Sequence, residues 1–60
     1  MSVIYENASR KEQIADQIEG IQAEMEAVKN SSKLSDEGKE IMLQDLQKYL
    51  NELIALFQSL

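Results

Sequence analysis

Carboxylates are the only chemistry-bearing side chains that this 60-residue chain holds in number, eleven in all. Glu12, Asp16 and Glu19 fall along one outer side of a helical stretch, with Glu24 and Glu26 further on. Such spacing serves metal binding or acid–base work when the acids point into a bundle, where Glu-x-x-His pairs complete the ligand set. Here histidine is absent and the inward positions are aliphatic, so the acidic run reads as a solvated face. No metal site and no cofactor are expected. Cysteine is also absent, which removes disulfides and the usual zinc and iron–sulfur ligands. There is no glycine-rich phosphate loop and no Ser/His/Asp set. Nucleophilic catalysis and nucleotide binding of the common kinds are thereby excluded. The residues favour a role other than catalysis.

Bulk charge narrows the partners. Six basic residues against eleven acidic give a net charge of −5, which is unsuited to nucleic acid and suited to steering towards a basic protein surface. No apolar run approaches the roughly 20 residues that span a bilayer, so no membrane partner is expected. The start Met1-Ser2-Val3-Ile4-Tyr5-Glu6 lacks the basic and apolar regions of a secretory signal, and a soluble cytoplasmic protein is the expectation. Sixty residues make one small domain, near the size at which a lone chain barely offsets its conformational entropy. Domains of this size add disulfides, metal or self-association, and only self-association remains open here.

The elements that would position these side chains are two long helices, since proline is absent and glycine occurs twice. Ile14, Ile18, Ile21, Met25 and Val28 step by four and three, with Lys11 on the same line. This first helix is predicted over about 4–29. Ser9-Arg10-Lys11-Glu12 would fit a capping box, but the adopted reading starts the helix earlier, with Glu6 and Arg10 paired and Ile4 extending the stripe. Gly20 sits mid-helix on the outer side. Asn30-Ser31-Ser32-Lys33 and Leu34 form the predicted turn, and Ser35 followed by Asp36 and Glu37 marks the start of a second helix over about 36–59. A turn this short makes the helices antiparallel neighbours. Ile4 and Tyr5 are then expected to cover Phe57 and Leu60.

The second helix is the wider of the two. Leu43, Leu46, Leu50, Leu53, Phe57 and Leu60 form its inner stripe. Met42, Tyr49 and Leu56 repeat every seven residues on one flank, and Ile54 lies on the other. One narrow helix cannot cover all of these, and the excess is a contiguous apolar patch of the kind that marks an interaction site. The expected fold is all-α: an antiparallel two-helix hairpin that pairs into a four-helix-bundle homodimer. Met42, Tyr49, Ile54 and Leu56 are the expected partner-binding residues, towards a second copy, a heterologous protein, or both. A purely structural coiled-coil component is the plainer alternative.

Two resemblances accompany this reading. Lys11 to Val28, Leu34-Ser35-Asp36-Glu37-Gly38-Lys39 and the leucines at 43, 46, 50 and 53 together resemble the FlxA-like short coiled-coil proteins, with Gln/Glu/Lys-rich heptads joined by a Leu-Ser-acid turn. That resemblance implies architecture and little more. The second is shorter. Gln47-Lys48-Tyr49-Leu50-Asn51-Glu52-Leu53-Ile54-Ala55-Leu56-Phe57-Gln58 is similar to the S-Q-x-L-D-x-L-I-x-x-Y-Q signature of the small sporulation aspartyl-phosphate phosphatases. Leu50, Leu53, Ile54 and Gln58 match, with Phe57 in place of tyrosine. Gln47 replaces the serine and Asn51 replaces the acid that the family needs for activity. The resemblance implies Asn51 and Gln58 as catalytic residues acting on a response-regulator phospho-aspartate, or an inactive relative that still docks the regulator. An amide can orient a water there but cannot accept a proton.

Overall fold

The computed structural model describes residues 3–60, with side chains from Ala8 onwards. Two α-helices make up the fold, α1 over Val3–Lys29 and α2 over Asp36–Ser59, and they pack against each other. No strand occurs among the described residues. Ser9 lies inside α1 and caps nothing. No proline or glycine interrupts the chain between Val3 and Ser9, so the helix runs through the alternative start.

Local hydrogen bonds define the turn. The Asn30 amide donates to the Glu26 carbonyl at 3.1 Å, and the Ser31 amide then donates to the Val28 carbonyl at 3.2 Å, which tightens the last turn of α1. Lys33 N–H donates to Ser31 Oγ at 3.2 Å, a serine turn of the kind that competes with helix. Ser35 is in extended backbone, and its hydroxyl accepts from the Gly38 amide at 3.0 Å. Asp36 and Glu37 add negative charge where the α2 dipole is positive. A Cβ at position 38 would meet Ser35 Oγ at 3.2 Å, so glycine lets the cap close without displacement.

One bond joins the two helix ends. Lys39 Nζ donates to the Lys29 carbonyl at 3.3 Å, placing a cation from α2 on an orphan carbonyl at the negative end of α1. At the far end Lys11 Nζ sits 5.5 Å from the centre of the Phe57 ring, a cation–π contact. These two pairs fix an antiparallel register in which Ile18 is level with Leu50 and Met25 with Leu43. Lys11 contributes cover to Phe57; the expected contribution of Ile4 and Tyr5 concerns side chains outside the described residues, as does the Glu6 partner of Arg10.

The seam between the helices is the core. Ile14 and Val28 of α1 and Leu50 and Leu53 of α2 are buried. Lys11, Ile18, Ile21, Met25, Leu43, Leu46, Phe57 and Leu60 are half-buried. Among the described residues no large side chain is fully enclosed and no polar one is buried. Two cylinders touch along one line, so each inward residue is covered from one side only. Gly20 faces open space, with nothing within 4 Å of a Cβ built on it.

Two stability effects follow from this packing. Leu50→Ala and Leu53→Ala each remove a central seam contact and are expected to cost about 2–3 kcal/mol, the lower part of the range for buried leucine because the site can collapse. Gly20→Ala is expected to stabilise by up to about 1 kcal/mol through helix propensity alone. Urea titration followed by circular dichroism measures both, and a destabilised Gly20→Ala variant would show that the site is not open.

Candidate interaction face

With the seam placed, α2 has apolar side chains left over. Met42 is 42% exposed, Tyr49 47% and Leu56 49%. Their spacing of seven residues keeps them in one row along α2, because two helical turns return nearly to the same side. At its Met42 end the row enters a shallow groove between the helices, lined by Glu24, Ala27 and Val28 of α1 and by Met42, Asp45 and Leu46 of α2. Glu24 belongs to a matching row on α1, Arg10, Gln17 and Glu24, all exposed. One face of the flat hairpin therefore carries an apolar row on α2 beside a polar row on α1.

Ile54 stands elsewhere. It is 37% exposed and lies on the opposite face, one heptad beyond Gln47. Gln47 lines the second groove together with Met25, Lys29, Lys39, Glu40 and Leu43. The four expected partner-binding residues are thus divided, three on one face and one on the other. Ile41 is more exposed than any of them, at 56%. Sequence reasoning missed it because it falls outside the three-and-four spacing and points away from the seam. The run Ile41-Met42-Leu43, three consecutive apolar residues that no helix can bury on a single side, was the available signal.

Asn51 and Gln58 are both exposed on the Ile54 side of α2. Asn51 Oδ1 accepts a hydrogen bond from Gln47 Nε2 at 2.9 Å. One of the two lone pairs of the amide oxygen is thus taken by the residue one turn earlier. Gln44, Gln47, Asn51 and Gln58 form a row of amides, none of which can take up a proton. Glu12, Asp16, Glu19, Glu24 and Glu26 are all exposed. Among the described residues no three acids come together in a way that could hold a metal ion. No described helix is long and apolar enough to cross a membrane. The geometry leaves an apolar row, Met42, Tyr49 and Leu56, exposed along α2.

Comparison with protein-family models, with curated proteins and with solved structures gives no match.

Proposed function

We propose that this chain is a helical protein–protein interaction module that self-associates, two hairpins forming a four-helix bundle, and that in this form it binds or sequesters a partner protein. The row Met42, Tyr49 and Leu56 carries the reading. It leaves three large apolar side chains between 42% and 49% exposed, the first of them, Met42, lining a groove with Val28 and Leu46. Exposed apolar surface of this continuity is uncommon on monomers and marks association. The shortage of enclosed core supports the same reading, since a 60-residue chain without cysteine has no other staple. The acids of α1 at positions 12, 16 and 19 stay outside such a bundle and would attract a basic partner surface.

Sedimentation at micromolar concentration tests the reading. Tyr49→Glu combined with Leu56→Glu places two charges in the row and is expected to convert dimer to monomer. Ile54→Glu, on the other face, is expected to leave the mass unchanged. An unchanged mass for the double variant, with partner binding also intact, would end the proposal. Stability supplies a second check. Met42→Ala at a free surface changes stability by less than about 0.5 kcal/mol. In a dimer interface it costs more, and the melting temperature rises with protein concentration.

A further inference from the structure

Resting on self-association, we infer that the second copy sits on the Met42–Tyr49–Leu56 face with α2 antiparallel to its own counterpart, and that the two-fold axis passes beside Tyr49. Three observations lead there.

The first is area. A compact monomer of 6.8 kDa exposes about 4,000 Å². The hairpin, whose Cα trace extends 49 by 15 by 10 Å, exposes 4760 Å². The excess of roughly 800 Å² follows from the elongated shape, and it is of the order that one partner gives to a standard protein interface. A second hairpin laid along the face is an occupant of the right size.

The second is spacing. Met42 and Leu56 lie seven residues to either side of Tyr49, about 10 Å each way along the helix. Turning the helix end for end about Tyr49 exchanges Met42 with Leu56 and maps the row onto itself. An isologous interface requires this self-complementarity.

The third is charge. A two-fold axis along the helices and midway between them would lay the apolar row over Arg10, Gln17 and Glu24 of the second copy, burying two charges against apolar side chains without partners. An axis across the helices sets apolar row on apolar row. In the register fixed by the Lys11–Phe57 and Lys39–Lys29 pairs, Tyr49 is level with Glu19, so the same axis crosses α1 there. Arg10 of one copy then comes within about one helical turn of Glu24 of the other, twice by symmetry. Arg10 is the one basic residue of the two rows, and its counterpart is the one acid. At the rim the same axis brings Asp45 near Glu52 of the other copy, a like-charge pair at exposed positions where solvent screens it.

Cross-linking of single-cysteine variants with a short bis-maleimide tests the arrangement, since the chain has no native cysteine to compete. Tyr49→Cys alone is expected to give a covalent dimer. Met42→Cys and Leu56→Cys are each expected to cross-link poorly alone, their like positions being about 20 Å apart, and well when mixed. Asp45→Cys mixed with Glu52→Cys repeats the test at the rim with the whole row intact, so loss of an interface side chain cannot explain a negative. Efficient Met42→Cys and Leu56→Cys homodimers, or no cross-link in variants that sediment as dimers, would overturn the inference and leave self-association standing. A wild-type chain that sediments as a monomer at every concentration overturns both.

Discussion

A helix with a single neighbour can be covered along a single line, and this constraint governs the whole molecule. The seam from Lys11 to Val28 and from Leu43 to Leu60 uses that line fully, yet even Leu50 and Leu53 keep 6% of their surface exposed. Among the described residues no third element closes over either face of the hairpin. Stability therefore depends on one layer of contacts, and each seam residue stabilises less than it would inside an enclosed core. What α2 carries beyond the seam, from Ile41 and Met42 to Leu56, stays exposed.

The ends of the hairpin compensate in part through polar contacts. Ser35 closes the start of α2, and Lys39 reaches back to the last carbonyl of α1, so the turn is held by bonds from both sides. Lys11 does similar work at the other end by lying over Phe57 with its alkyl stem along the seam. These lysines occupy positions that the three-and-four spacing assigns to the interior. They extend the seam where aliphatic residues would enlarge the exposed apolar surface.

The two faces of the hairpin differ in chemistry. One presents Met42, Tyr49 and Leu56 as a row with an acid and an arginine nearby. The other presents amides, with Ile54 among them and Asn51 tied to Gln47. The phosphatase-like stretch of the sequence spans both faces, because its conserved apolar spacing is the seam itself and its amides lie to one side. A helical sequence that satisfies a seam will reproduce much of such a signature for packing reasons alone.

Element type, the site of the turn, the N-cap at Ser35 and the inward stripe of each helix were legible in the sequence, because each rests on local spacing and on caps within a few residues. So was the surplus of apolar surface on α2, which is a count of side chains against one line of cover. Register was not, since it depends on which side chains meet across the seam, and it was fixed by Lys39 on Lys29 and Lys11 on Phe57. The split of the surplus between two flanks, with Ile54 apart from Met42, Tyr49 and Leu56, was legible from spacing as well; the exposure of Ile41 outside both stripes emerged only once α1 was in place. Spacing says which residues share a side of a helix; the position of the neighbouring helix decides which of those sides remain open.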